Sequence, residues 1–170
     1  MIEVYVGLGA NLDDPHAQVM QAIDELALLP QTGSLAVSSL YRSVPLVLPE
    51  QAETGTSLQP DYINAVAKLE TALAPHALLD KLQAIEQAHG RRRDGQRWAA
   101  RPLDLDILLY GNQQFDDERL RVPHEGIAVR NFVLYPLGEL APPTLHIPGM
   151  GKLADLLNRC SPEGLEKLCS

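Results

Sequence analysis

The chain has 170 residues, of which 45% are hydrophobic and 21% charged; this composition is typical of one globular domain and excludes a disordered chain. Its formal net charge of −8 disfavours general binding to nucleic acid or to an anionic membrane. No apolar run reaches the roughly 20 residues of a spanning helix, and the N-terminus lacks the regions of a signal peptide. Two cysteines, Cys160 and Cys169, favour a reducing compartment over a disulfide framework. We predict one cytoplasmic domain over residues 1–170.

The hydrophobic pattern predicts strands where apolar residues alternate and helices where they recur every three or four positions. Aspartate and proline at Asp14-Pro15 are typical of a helix start, and Pro75 opens a second helix. In chain order the predicted elements are a strand at 2–8, a helix at 13–30, strands at 35–41 and 63–69, a helix at 75–90, a strand at 103–109, a hairpin-like stretch at 113–122 and helices at 129–137 and 153–158. This order predicts an α+β fold: ferredoxin-like, with a mostly antiparallel sheet, helices packed on one face and a C-terminal extension.

A short glycine pair follows the first strand-like run. Gly7-Leu8-Gly9 resembles the start of a dinucleotide-binding loop, but Leu12 stands where a third glycine is needed. We interpret the pair as a turn.

Two aspartates lie on the strand at 103–109. Side chains two residues apart point to the same face, so Asp104 and Asp106 have Cα atoms roughly 6.5–7 Å apart on one side of the sheet. Leu103, Leu105, Ile107 and Leu109 would face the core. Carboxylates at this spacing can share one divalent ion or flank two. The alternative is a pair of aspartates that simply faces water.

An arginine-rich segment precedes these aspartates. Residues 91–101 contain five arginines and one aspartate, a local charge of +4 in an acidic chain. Magnesium prefers a few carboxylates together with substrate phosphates, and guanidinium groups bind phosphate in a bidentate manner. The combination is typical of polyphosphate chemistry. The alternative is a solvated run of charge.

Residues 97–108, RWAARPLDLDIL, resemble the signature of the 6-hydroxymethyl-7,8-dihydropterin pyrophosphokinase family. Other segments resemble the same family in the same order: 6–12, 39–43, 60–65, 122–124 and 130–132. The resemblance extends from about residue 2 to 142. It implies transfer of pyrophosphate from ATP to the hydroxymethyl group of the pterin, with release of AMP, in folate biosynthesis.

The resemblance also implies roles for individual residues. Asp104 and Asp106 would hold two Mg²⁺ ions, and Arg91 and Arg101 would stabilise the transferring group. The residues on the ATP side would be Gln83, Glu86, Arg93, Ile107, Arg119 and His124. The residues on the pterin side would be Asn11, Ser43, Leu46, Tyr62, Asn64, Trp98 and Phe132, with the two rings of Tyr62 and Phe132 stacking on the pterin. Either Asp106 or a metal-bound hydroxide would take the proton.

The chain departs from the family pattern at a few positions. They are Asp94 and Ala100 in the arginine-rich segment, Pro102, Glu125, and a longer loop over 47–60. Two other functions fit parts of the sequence. An RNA-binding module would use the basic segment, although stacking aromatics are missing from adjacent strands. A two-metal phosphodiesterase would use the aspartates. We expect a monomer that binds small-molecule substrates, with no nucleic acid or membrane as partner.

Overall fold

The computed structural model describes residues 1–44, 60–90 and 102–168. Its helices are α1 (Pro15–Ala27), α2 (Pro75–Ala88), α3 (Asn131–Leu140) and α4 (Leu153–Arg159). Its strands are β1 (Ile2–Ala10), β2 (Thr32–Val37), β3 (Tyr41–Ser43), β4 (Tyr62–Thr71), β5 (Asp104–Tyr110), β6 (Phe115–Asp116), β7 (Arg121–Val122), β8 (His146–Ile147), β9 (Gly151–Lys152) and β10 (Leu165–Lys167). The predicted strand at 35–41 is thus divided between β2 and β3, and the predicted hairpin at 113–122 is the β6–β7 pair.

Six strands form one sheet in the order β10-β3-β4-β1-β5, and β2 also pairs with β4. Every pairing in it is antiparallel. The predicted α+β class with a mostly antiparallel sheet is therefore confirmed, while its finer description as ferredoxin-like stays a prediction. The C-terminal extension ends in β10, which forms the edge of this sheet next to β3.

Helices cover both faces of the sheet, so the prediction of helices on one face is wrong. Helices α1 and α2 pack on the first face, where residues such as Val6 and Leu105 form the first core. Helices α3 and α4 pack on the second face against residues such as Tyr5 and Val66, which form the second core. The physical reason is that one end of the sheet is apolar on both faces, and burial of the second face requires further helices.

A β-bulge in β5 alters the face that its last residues present. Val6 pairs with Ile107 and Tyr5 with Leu109, so Leu108 is the extra residue between them. Leu109 consequently packs in the second core instead of the first, where the simple alternation placed it. The bulge brings two consecutive leucines onto the second face, directly beyond the two aspartates.

The predicted start of the first helix is confirmed. The Asp14 side chain caps α1, because its Oδ1 accepts a hydrogen bond from the Ala17 amide at 3.3 Å, and Pro15 occupies the first turn. Among residues 1–44, 60–90 and 102–168, no helix combines the length and the apolar character that crossing a membrane would require.

Candidate active site

On the second face of the sheet, part of β1 is partly exposed and lacks side chains, because Gly7 and Gly9 occupy these two positions of the strand. In the register of β1 with β5, Asp106 lies beside Gly7 and Asp104 beside Gly9. On the other side of β1, Asn64 pairs with Gly9. Directly paired residues lie on one face, so the carboxylates and the amide border the same open strip. We call it the glycine groove.

The interpretation of Gly7 and Gly9 as a turn is wrong, since both lie inside β1. A Cβ atom on Gly9 would lie 3.2 Å from Asn64 Oδ1, and one on Gly7 would lie 3.3 Å from Leu108 Cδ2. Glycine inside a strand often marks the close approach of a ligand or another backbone. Two glycines two positions apart leave one face of the strand without side chains. This spacing is visible in the sequence and could have indicated the site.

The two aspartates occupy the face predicted for them. Leu105, which lies between them, packs in the first core, while Asp106 keeps 37% of its side chain exposed. No group of three or more His, Cys, Asp or Glu side chains in the described ranges could enclose a metal ion. The donor set of two adjacent carboxylates fits Mg²⁺, which is usually bound by one or two carboxylates plus substrate phosphates and water.

His124 lies beside these carboxylates, with its Nε2 atom 3.8 Å from Asp106 Oδ2. Two hydrogen bonds fix the residue: its amide donates to the carbonyl oxygen of Leu108 in the bulge, and its Nδ1 accepts from the Gly126 amide, both at 3.0 Å. Burial lowers the pKa of His124 below its ordinary value, and Arg130 lowers it further, while Asp104 and Glu125 raise it. The neutral ring therefore carries its proton on Nε2 and presents a donor to the groove.

This depressed pKa predicts a pH dependence of stability in the metal-free protein. Between the native pKa and the ordinary value of 6.5, the unfolded chain binds more protons than the native chain. The free energy of unfolding must then fall as the pH drops through this range. We expect His124→Asn to make that fall shallower in denaturant titrations. An NMR titration of the His124 ring with a midpoint above 6.5 would contradict the assignment.

Two residues predicted on the ATP side are buried behind the aspartate strand. Glu86 of α2 is 2% exposed and accepts a hydrogen bond from the Leu105 amide at 2.7 Å. The side chain of Ile107 lies in the first core. Glu86 therefore fixes the strand residue between Asp104 and Asp106, and any contact of Ile107 with ATP would have to use its backbone.

Gln83 and Arg119 come together between α2 and the β6–β7 hairpin. Arg119 Nη2 donates to Gln83 Oε1 at 3.3 Å and to Asp80 Oδ1 at 2.5 Å. Asp117 accepts hydrogen bonds from the Arg119 and Leu120 amides, both at 2.9 Å. The two predicted residues are thus neighbours, and sequence reasoning missed Asp80, which lies one helical turn before Gln83.

Three of the residues predicted for the pterin lie on β3 and β4. Asn64 Nδ2 donates to Ser43 Oγ at 2.7 Å, and both residues are buried. Tyr62 pairs with Ser43 and shares the face of Asn64. Asn11 is 1% exposed and donates from Nδ2 to the carbonyl oxygen of Pro60 at 3.2 Å, which connects the end of β1 to the start of β4.

Phe132 lies in the first turn of α3, the helix that packs on β4 and β3. Its ring packs partly against the second core, and the Arg130 guanidinium carbon lies 5.8 Å from the ring centroid. Tyr62 and Phe132 are therefore on the same side of the sheet. Arg130 was not assigned a role from the sequence, although its guanidinium group contacts the Phe132 ring and it lowers the pKa of His124.

Five predicted site residues lie outside the described ranges: Leu46, Arg91, Arg93, Trp98 and Arg101. The same holds for Asp94, Ala100 and most of the long loop. Glu125 is described and pairs with Arg121 at 3.2 Å.

A separate surface cavity of about 440 Å³ lies between the β6–β7 and β8–β9 hairpins. Phe115, Arg121, Glu125 and Met150 are among the residues that line it. It contains none of the residues predicted for ATP, metal or pterin. The glycine groove, in contrast, is bordered by Asp104, Asp106 and Asn64.

The family model described as 7,8-dihydro-6-hydroxymethylpterin-pyrophosphokinase (HPPK) matches residues 5–142. The chain belongs to this family. A 2-amino-4-hydroxy-6-hydroxymethyldihydropteridine pyrophosphokinase from Pseudomonas aeruginosa is 50% identical over 165 residues, which cover 97% of this chain and 96% of that protein. The enzyme of the same name from Haemophilus influenzae is 43% identical and covers 99% of each chain.

Solved structures agree on the fold of this pyrophosphokinase. An HPPK-DHPS crystal structure in complex with substrates matches with a TM-score of 0.69 at 13% identity, over 93% of this chain and 45% of that chain. A Plasmodium falciparum HPPK-DHPS structure matches with a TM-score of 0.64 at 15% identity, over 94% and 43%. This chain thus spans less than half of those longer proteins, and at such identity the likeness concerns the fold alone.

Family membership decides between the functions that the sequence left open. The pyrophosphokinase transfers pyrophosphate from ATP, its co-substrate, to the hydroxymethyl group of 6-hydroxymethyl-7,8-dihydropterin in folate biosynthesis. It is a diphosphotransferase that acts on a small molecule. The RNA-binding and phosphodiesterase alternatives are not supported.

Proposed function

We propose that the glycine groove is where the two substrates meet, with ATP and metal on the β5 side and the pterin on the β4 side. The observation that carries this proposal is the position of Gly7 and Gly9 between the two aspartates and Asn64. A strand without side chains at two successive positions of one face lets reacting groups approach from both sides. Reaction between two bound molecules requires this proximity.

On the β5 side, Asp104 and Asp106 would hold two Mg²⁺ ions. When bound, the ions would neutralise phosphate charge and favour attack by the pterin hydroxyl on the β-phosphorus of ATP. The protein residues hold the carboxylates in place: Glu86 fixes the Leu105 amide behind them, and the neutral His124 presents its Nε2 proton next to Asp106. In this arrangement His124 would donate to a phosphate oxygen and would not compete with the metal for Asp106.

We propose the roles of the arginines from their positions in the sequence. Residues 91–101 connect the end of α2 to the start of β5, so Arg101 lies three residues before Asp104. Arg91 and Arg101 would stabilise the charge that develops on the transferring group. Arg93, Arg119, Gln83 and His124 would bind the remainder of ATP. Trp98 and Leu46 would complete the pocket around the pterin.

On the β4 side, Asn64 would read the edge of the pterin. Its Nδ2 atom is bound to Ser43 Oγ, while its Oδ1 atom lies over the position of Gly9. An oriented amide oxygen accepts hydrogen bonds from the amino and ring N–H groups of a pterin. Tyr62 on the same face and Phe132 at the start of α3 would stack on the ring. A single domain over 1–170, a monomeric state and a cytoplasmic location stay predictions.

The pterin assignment is tested with Asn64→Ala. We expect the KM for the pterin to rise roughly tenfold to a hundredfold, because a buried recognition group is lost, while the KM for ATP changes by less than about twofold. Steady-state AMP release measures both constants. Asn112→Ala, at an exposed asparagine after β5, is the matched control. An unchanged pterin KM, or equal changes in both constants, would contradict the proposal.

A further inference from the structure

The C-terminal segment, residues 160–168, forms hydrogen bonds with both helix α3 and strand β3. At its start, the carbonyl oxygen of Cys160 accepts a hydrogen bond from the Tyr135 hydroxyl at 2.7 Å. At its end, β10 pairs with β3 and Leu168 donates to the Leu40 carbonyl oxygen at 2.9 Å. Cys160 packs against the second core and Leu168 against the first, so the segment passes around the edge of the sheet. We call it the C-terminal tie.

On the α3 side, the tie is also held by the side-chain amide of Asn131. Asn131 Nδ2 donates to the carbonyl oxygens of Ser161 and Glu163, both at 2.9 Å. Two backbone acceptors two residues apart bound to one nitrogen fix the turn between them. Asn131 directly precedes Phe132 in the first turn of α3, so the position of the tie and the position of that ring are coupled.

On the β3 side, the tie depends on Gly164. Its φ angle of +79° is one that residues with a side chain rarely adopt. A Cβ atom there would also lie 3.2 Å from Val44 Cγ2. The next residue, Leu165, pairs with Ser43, whose hydroxyl binds Asn64. Asn131 thus contacts the tie only two residues before the tie contacts the strand of Ser43.

We propose that the C-terminal tie is a positioning element for the pterin, and that Asn131 is its positioning residue. It sets the spacing between two sides of the pterin pocket, Phe132 on α3 and the Ser43–Asn64 pair on β3 and β4. This inference rests on the proposed function for the pocket itself. The match to the family model ends at residue 142, and the tie lies beyond it.

The test compares Asn131→Ala and Gly164→Ala with Val129→Ala, a control at a side chain that is 75% exposed and lies close to Asn131. Each of the first two variants should weaken binding of 6-hydroxymethylpterin, followed by its fluorescence, by roughly threefold to tenfold, the effect of one or two lost hydrogen bonds. The Kd for magnesium ATP should change by less than about twofold, because the aspartate side is not touched. The double variant should be no weaker than the worse single variant, since both changes release the same tie.

The outcomes separate positioning from general stability. A fall in Tm with an unchanged pterin Kd in both variants would overturn the proposal, as would equal losses of pterin and ATP binding. Asn64→Ala is measured in parallel. If it binds the pterin normally, the pocket assignment and this inference both fall. If it loses the pterin while Asn131→Ala and Gly164→Ala keep it, only the inference about the tie falls.

Discussion

Replacement of either groove aspartate, as Asp104→Asn or Asp106→Asn, should reduce AMP formation at least about a thousandfold, since metal-assisted charge stabilisation contributes several kcal/mol to such reactions. Asparagine keeps the size of the side chain but removes the charge that holds the metal. Both side chains are outside the apolar core, so the fold should persist. Single-turnover AMP release under saturating ATP, pterin and Mg²⁺ measures the chemical step directly.

The matched control is Asp116→Asn, in β6 at the separate surface cavity. It removes the same charge from the same residue type away from the groove, so its rate should be close to that of the wild type. Tm values of all three variants establish that they are folded. Near-normal turnover in either groove variant would contradict the metal assignment. Recovery of full activity simply by raising Mg²⁺ would reduce the role of that aspartate to metal affinity.

Filling the groove should be almost as damaging as removing its charge. Gly9→Val places two methyl groups next to Asn64 Oδ1, where the Cβ atom alone would already be 3.2 Å from that oxygen. We expect kcat/KM for the pterin to fall by about a hundredfold or more, because misplacement of a reacting group by about 1 Å has effects of that size. The backbone itself is compatible with valine, a residue favoured in strands.

Gly33→Val is the matched control, because a Cβ atom at Gly33 in β2 would have no neighbour within 4 Å. Circular dichroism and Tm should be similar for the two variants, and only Gly9→Val should lose turnover. Equal kcat/KM values for Gly9→Val and the wild type would mean that the strip over Gly9 is not part of the site. Parallel losses in both variants would indicate a general effect of valine on the sheet.

The sequence predicted the aspartate face correctly because that prediction depends only on local alternation. Asp104, Asp106 and Leu105 obey a period of two whatever the rest of the chain does. The helix start at Asp14 is also local, since its cap lies within one turn. The resemblance to the family further predicted Ser43 and Asn64 as site residues. They are 21 residues apart in sequence and joined by a hydrogen bond in the structure.

Features that depend on contacts between distant parts of the chain could not be predicted from local alternation. The bulge at Leu108 depends on the pairing of β5 with β1, so alternation placed Leu109 on the wrong face. The second helical layer covers apolar residues such as Val66. Val66 lies in the sequence between apolar residues of the first core, so the apolar run alone does not show that Val66 faces the other side. Gly7 and Gly9 look like a turn until the register shows which side chains flank them. The tie made by Asn131 involves residues about 30 positions away.

Metal, ATP and pterin are proposed to meet over Gly7 and Gly9. Mn²⁺ can replace Mg²⁺ in a complex with a non-hydrolysable ATP analogue, and its paramagnetism broadens the NMR signals of nearby amides. We predict the strongest broadening at Gly7, Gly9 and the Asn64 side chain, and its loss in Asp106→Asn. Broadening centred on Met150 and the surface cavity, with Gly7 and Gly9 unaffected, would contradict the account.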